Sequence, residues 1–202
     1  MMQAWTDAWR DPRFRLRLGL AVPALVLALA LLARFLEWNE ARPGAVLPDP
    51  VLALLAPRDL TWLTFSLVYL GLAVGIARLA AHPRALAVAL TAYAVMVLLR
   101  IAAMAVTPLE APPGMIPLHD PLVRLFGPSK LLTKDLFFSG HTSTLVLLAL
   151  TVPGRAWTAA FLAAAAGVGF SVLAQHVHYT VDVLAAPFFA YASVRLAASF
   201  GR

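Results

Sequence analysis

The chain has no cysteine. That excludes disulfides, thiolate nucleophiles and cysteine-based zinc or iron–sulfur centres. It is also poor in charge. Asp, Glu, Lys and Arg make up 13% of its 202 residues, where an ordinary soluble domain carries about 25%. A soluble globule of this length would have too few charges to cover its surface. Apolar residues fill the gap: the AVILMFWYC set reaches 61% and the mean hydropathy is +0.81. Such a composition excludes disorder, a coiled coil and a collagen-like fibre. The net charge of +6 would suggest nucleic acid in a soluble chain. In a chain this apolar, membrane orientation explains the basic excess, and nucleic acid is not an expected partner.

Six apolar runs are long enough, or nearly so, to cross a bilayer: Leu16–Leu36, Leu60–Ala81, Ala85–Val106, Leu136–Val152, Ala156–Ala174 and Thr180–Ala198. Each is near the ~20 residues a helix needs to cross ~30 Å of hydrocarbon. Helix is the expected form, because an isolated strand would leave its backbone unpaired in lipid. Pro23 and Pro187 are tolerable inside such helices on the same ground. The sequence thus predicts an all-α, polytopic protein, a single domain over residues 1–202 with six transmembrane helices. Residues 1–15 form a basic lead-in, where Trp5 and Trp9 lie four apart beside Arg10 and Arg13. That pattern suits a short amphipathic helix at headgroup level, and a frayed terminus equally. The first run is too long for a signal peptide, and Arg-Phe-Leu-Glu-Trp follows it rather than a small-residue cleavage site. Gly71 and Gly75 form a G-x-x-x-G, whose usual meaning is close helix packing.

Basic residues set the expected orientation. One side collects Arg10, Arg13, Arg15, Arg17, Arg78, Arg84, Arg155, Arg195 and Arg202, with only Asp7 and Asp11 as acids. That side, with both termini, is expected to be cytoplasmic. The loops 37–59, 107–135 and 175–179 then face outward.

Ionisable groups at membrane depth are costly, which makes them functional candidates. Two clusters stand out: Asp135-Leu-Phe-Phe-Ser139-Gly140-His141-Thr142-Ser143 at the start of the fourth run, and His176-Val-His178-Tyr179-Thr180-Val-Asp182 at the start of the sixth. One full crossing separates those starts, so they share a side and His141 can meet His178. His178 and Asp182 are four apart and can touch. A carboxylate on one imidazole nitrogen fixes the tautomer and leaves the other nitrogen nucleophilic. Ser139-Gly140-His141 opens a helix, where free N–H groups and the dipole suit a phosphate. Gly140 lets that backbone approach closely. A second histidine there can protonate a departing oxygen. Each motif alone also reads as an ordinary helix cap. His141, His176, His178 and Asp182 together would also make a plausible zinc set. His119-Asp120 reads as a loop turn before Pro121, and His82 as a loop residue.

At these residues the sequence resembles the lipid phosphatase superfamily of type 2 phosphatidate phosphatases, and within it the sphingomyelin synthase branch. Asp135-Leu-Phe-Phe-Ser-Gly-His-Thr resembles the branch's "D…SGHT" motif, and His178-Tyr-Thr-Val-Asp-Val183 its "HYT-DV" motif. Upstream, Leu47-Pro-Asp49 resembles its "LPD", and Arg100-Ile-Ala-Ala-Met104-Ala-Val-Thr107-Pro-Leu109 its "R-x3-M-x2-T-x-L". The resemblance implies a catalytic trio with His178 as nucleophile, Asp182 as its orienting partner and His141 as acid and then base. It implies no metal, no cofactor and an extracytoplasmic active site. The chain also departs from the pattern. Where the wider phosphatases have an Arg six residues before the second His, this chain has Val172. Their Lys-x6-Arg-Pro motif is missing, and Glu110 stands where the branch usually has Pro. Arg100, Lys130 and Lys134 are the candidates to neutralise a phosphate, with Ser139 and Gly140 binding it.

The expected protein is therefore an integral enzyme of an inner or plasma membrane. It would move a phospholipid headgroup to a ceramide- or diacylglycerol-like acceptor through a phosphohistidine. With water as acceptor the same trio would be a lipid phosphatase. A transporter with a His- and Asp-lined path is the non-enzymatic rival. The oligomeric state is left open.

Overall fold

Helix length and helix surroundings do not follow one another in this chain. The computed structural model describes residues 2–120 and 132–200. Among them are seven helices: α1 (Met2–Arg10), α2 (Pro12–Glu40), α3 (Thr61–Ala80), α4 (Pro83–Val106), α5 (Gly140–Thr151), α6 (Arg155–Ala174) and α7 (Thr180–Ser199). The described residues contain no β-sheet; a 3-10 turn at Leu52–Leu54 and one bridge between Ala45 and Leu109 complete them.

Local chemistry sets the boundaries. Asp11 caps α2, its carboxylate accepting the Arg13 N–H at 2.9 Å, and Pro12 supplies a helix-ready φ at the first position. Pro83 does the same for α4. The Trp5 indole donates to the Ala80 carbonyl at 2.7 Å, so the lead-in helix satisfies an orphan acceptor at the end of α3. The lead-in is therefore helical and packed, with Ala8 and Phe14 buried against Ala87.

Helices α2, α3, α4, α6 and α7 are long and apolar enough to cross a membrane. The fourth apolar run, read as Leu136–Val152, is helical only from Gly140. Its helix of 12 residues is about 18 Å long, short of a full span. The reason is Ser139, which caps the helix and leaves Leu136–Phe138 as a non-helical lead-in. The surroundings differ too. Helix α5 packs on α6, α7, α4 and α3 and is buried on every side from Thr142 to Ala149. Its neighbours come very close. A β-carbon on Gly71 would lie 2.5 Å from Leu145 Cδ2, and one on Gly75 would lie 2.7 Å from Leu148 Cδ2. The G-x-x-x-G of α3 is thus a groove for two leucines of α5, the close packing that small residues permit in membranes. Phe138, fully buried, stacks on Phe189 of α7 at 4.2 Å between centroids and pins the lead-in to the bundle.

The loops at the α5 and α7 starts form a cap. Ala45 N–H donates to the Pro108 carbonyl, and Glu110 N–H to the Ala45 carbonyl, both at 3.0 Å. Buried Gln175 ties three strands of chain together: it accepts from Leu60 N–H and donates to Thr61 Oγ1 and the Ile116 carbonyl.

Candidate active site

The pair at the start of α7 is built by the helix terminus. Tyr179 is the N-cap residue and Asp182 lies in the first turn. The Asp182 carboxylate reaches back over that turn. Its Oδ2 accepts the Tyr179 N–H at 3.1 Å and faces His178 Nδ1 at 3.1 Å. Both side chains are buried. A carboxylate at Nδ1 assigns the proton to that nitrogen and leaves the lone pair on Nε2. Nε2 has no hydrogen bond among the described residues. Asp182 Oδ1 is buried without a partner among the described residues, a cost that the positive end of α7 offsets in part.

The α5 start meets this pair through the backbone: the Ser139 N–H donates to the Asp182 carbonyl at 3.1 Å. The Ser139 hydroxyl is fully buried and serves the helix, accepting from Thr142 N–H and lying 3.1 Å from Thr142 Oγ1. His141 stands in the first turn of α5, edge-on to Phe65 at 5.7 Å. Its electrostatic neighbours are His178, Arg100, Asp135 and Asp120. The Nδ1 of His141 is buried without a hydrogen-bond partner among the described residues.

A guanidinium completes the cluster. Arg100 of α4 is 8% exposed and places Nη2 2.6 Å from Asp135 Oδ1. A β-carbon on Gly140 would collide with the Arg100 guanidinium. Any side chain at position 140 would have to push that guanidinium aside, so Gly140 and Arg100 are fitted to one another. Lys134 Nζ donates to Glu110 Oε1 at 2.8 Å and to the Arg42 carbonyl at 2.7 Å, tying the two outer loops together. Lys130 lies outside the described residues. Val172 is fully buried in the core.

Asp49, noted in the sequence only as part of Leu-Pro-Asp, holds the α7 start in place. Its Oδ2 accepts the Thr180 N–H at 2.6 Å and its Oδ1 the Thr180 hydroxyl at 2.9 Å, with Val51 and Leu52 N–H at 3.0 and 3.1 Å. Burial pushes the Asp49 carboxyl up, but these donors outweigh it and hold it below the usual range. The Tyr179 hydroxyl donates to the Glu110 carbonyl at 3.0 Å and accepts the Leu47 N–H at 3.2 Å. The two weaker upstream motifs therefore dock directly on the His178–Asp182 motif. Asp135 as counter-ion to Arg100 was not foreseen; nothing local marks a pair separated by 35 residues.

The zinc alternative loses a member. Both ring nitrogens of His176 face backbone carbonyls, Nδ1 on Pro113 at 2.8 Å and Nε2 on Leu55 at 3.0 Å. Among the described residues no three His, Asp or Glu side chains converge as a metal site requires. His82 Nδ1 lies 2.9 Å from the Arg78 carbonyl, and Asp120 accepts from the Tyr69 hydroxyl.

A cavity of about 190 Å³ opens onto this cluster. Arg100, Asp135, Gly140 and His141 line its polar part, and Leu32, Leu72, Met96 and Val97 its apolar part. His178 and Asp182 are not among the residues that line it. A buried His–Asp pair, a second histidine at a helix N-terminus and a nearby guanidinium are groups suited to nucleophilic attack, proton transfer and charge stabilisation.

A family model described as PAP2 superfamily C-terminal matches residues 134–198, the segment holding Asp135, His141, His178 and Asp182. The match supports the type 2 phosphatidate phosphatase superfamily over that segment. No curated protein and no solved structure matches the chain.

Proposed function

We propose that the protein is a lipid phosphotransferase that moves a phospholipid headgroup to a lipid hydroxyl through a phosphohistidine on His178. The observation that carries this is the buried His178–Asp182 pair, tied through Ser139 to the helix that presents His141. His178 Nε2 attacks phosphorus. The N–P bond forms as the P–O bond to the diacylglycerol oxygen breaks, and His141 gives that oxygen its proton. In the second step His141 takes the proton of the acceptor hydroxyl, whose oxygen displaces His178. Arg100 and the N–H groups at the α5 start neutralise the charge developing on the phosphoryl oxygens. Arg100 takes this role by position, with Asp135 orienting it; Lys134 is engaged by Glu110.

Burial supports transfer over hydrolysis. His178 is 4% exposed and Asp182 is fully enclosed, so a phosphohistidine there is shielded from water and persists until a lipid hydroxyl arrives. The apolar part of the cavity suits a substrate with a hydrocarbon tail. The test is to incubate the purified, reconstituted protein with labelled phospholipids, with and without ceramide or diacylglycerol, and identify every product. Label on the added lipid supports transfer. Acceptor-independent release of phosphorylated headgroup supports the phosphatase reading, and no turnover defeats both and leaves a transporter.

The same reading places six crossings in the membrane, α5 with its extended lead-in being the fourth. Both termini are then cytoplasmic and the histidines outside. Val46→Cys, in an exposed stretch of the outer loop, should react with an impermeant thiol reagent from outside intact cells, and Ser199→Cys should not. The reverse pattern inverts the orientation.

A further inference from the structure

A second, larger cavity, of about 610 Å³, lies between α2, α4 and the end of α7. It is at the opposite end of the bundle from the histidines. Along α4, its Arg84 and the active-site Arg100 are 16 residues apart, or about 24 Å. Its walls have two characters. Arg13, Arg17 and Arg84 line one part, and Leu16, Leu20, Ala24 and Val88 are among the apolar residues of the other. None of the three arginines has an acidic partner within ion-pair distance among the described residues. The one acid at the rim, Asp11, uses its carboxylate to cap α2. Arg17 Nη2 donates to the Ala197 carbonyl at the end of α7, while its Nε is buried with no partner among the described residues.

We infer that this cavity binds an anionic phospholipid of the leaflet opposite the active site. The phosphate would sit among Arg13, Arg17 and Arg84, and an acyl chain along Leu16, Leu20 and Ala24. Charge complementarity selects the occupant. Three arginines against the single carboxylate of Asp11 leave a net positive charge at the end of an apolar trough, which matches a negative headgroup with a hydrocarbon tail, and basic pockets between transmembrane helices bind such headgroups. A second copy of the chain would oppose arginine to arginine. A soluble anion would leave the trough unused. The site is separate from the substrate cavity and does not depend on which acceptor the enzyme uses.

The experiment uses the full chain, purified in mild detergent with equal amounts of phosphatidylglycerol and phosphatidylcholine, and reads retained lipid by native mass spectrometry. The wild type should retain phosphatidylglycerol in preference, and His178→Ala should do the same. R13Q/R17Q/R84Q should lose roughly a hundredfold in affinity, each arginine contributing about fivefold, while R13K/R17K/R84K should keep most of it. Ala24→Trp, at an exposed position, fills the trough without changing charge and should also weaken retention. A photoactivatable phosphatidylglycerol should label residues 13–24 or 84–91. Equal retention of the two lipids, unchanged preference in the glutamine variant while Ala24→Trp is also silent, or labelling confined to the region of Arg100 and His141 would overturn the proposal. Displacement by millimolar inorganic phosphate alone would make the site one for soluble anions, and overturn it equally.

Discussion

Helices α2 and α5 are both apolar, yet they answer to different surroundings. Helix α2 runs 29 residues, and only 11% of its most apolar stretch is buried inside the protein. Leu16, Leu20 and Val26 stand more than half exposed along it. A β-carbon added at its Gly19 would meet nothing within 4 Å. Helix α5 has 12 residues, buried from Thr142 to Ala149, and a β-carbon at its Gly140 would collide with Arg100. Lipid asks of α2 little beyond length and apolarity. Protein neighbours specify α5 nearly atom by atom, and that precision lets it carry a reactive group at its first turn.

The contrast is sharpest in turnover. His178→Ala should remove activity and any covalent phosphoenzyme. Asp182→Asn keeps the shape but can bond the wrong tautomer; by analogy with the serine-protease aspartate it should cost about 10³–10⁴ in rate. His141→Ala should cost about 10²–10⁴. A nitrophenyl ester, whose leaving group needs little protonation, should restore the first step in His141→Ala but not in His178→Ala. Acid-labile, base-stable label should then accumulate on His178. Label on His141 instead would reverse the roles assigned here.

Gly140→Ala comes next in size. The added methyl must displace the Arg100 guanidinium, and losing one such charge stabiliser is worth about 10²–10³ in rate. Arg100→Gln should produce a similar loss, and the double variant little more than either, because both remove one contact. Additive losses would show that Gly140 and Arg100 act separately.

These residues differ in how far the sequence discloses them. The long lipid-facing helices were legible because apolar length is what lipid selects. The α3 and α6 boundaries fall within a residue of the apolar runs. Helix α2 runs four residues past its run at each end, because Asp11 and Pro12 start it early and hydropathy does not register capping. Helix α5 was overestimated for the opposite reason: Leu136, Phe137 and Phe138 are apolar but not helical. His178 and Asp182 were legible from spacing, although the contact is a first-turn reach rather than two residues on one helical face. Lys134 sits beside the motif in sequence, but its ammonium pairs with the Glu110 carboxylate across the outer loops. The fit of Gly140 to Arg100 joins two helices 40 positions apart, which no local pattern reveals.

On the lipid-facing side the expected effect is smaller and opposite in sign. Gly19→Ala meets open space in a helix and should stabilise by about 0.4–1 kcal/mol, mainly by restricting the unfolded chain. Turnover should not change. A fall in activity from Gly19→Ala would mean that α2 is specified as closely as α5, and the comparison between them would break.

The smallest effect concerns acid, and it separates the outer cap from α2 again. The hydrogen bond from Lys134, then that from Gly44 N–H, holds the Glu110 carboxyl below its usual range. Asp49 is held low by its donors despite burial. A carboxylate depressed on folding stabilises fully above its unfolded pKa, about 4, and that contribution fades as pH falls through the lower folded value. The unfolding midpoint should therefore be flat above about pH 5 with respect to these two groups and decline below about pH 4. Asp49→Asn and Glu110→Gln should each lower the midpoint at neutral pH and flatten the acid decline. Because Asp49 holds the Thr180 backbone two residues from His178, Asp49→Asn should also reduce turnover at neutral pH, while Glu110→Gln, which loosens the Lys134 tie, should change it less. An acid decline that persists unchanged in the double variant would place its origin outside the cap.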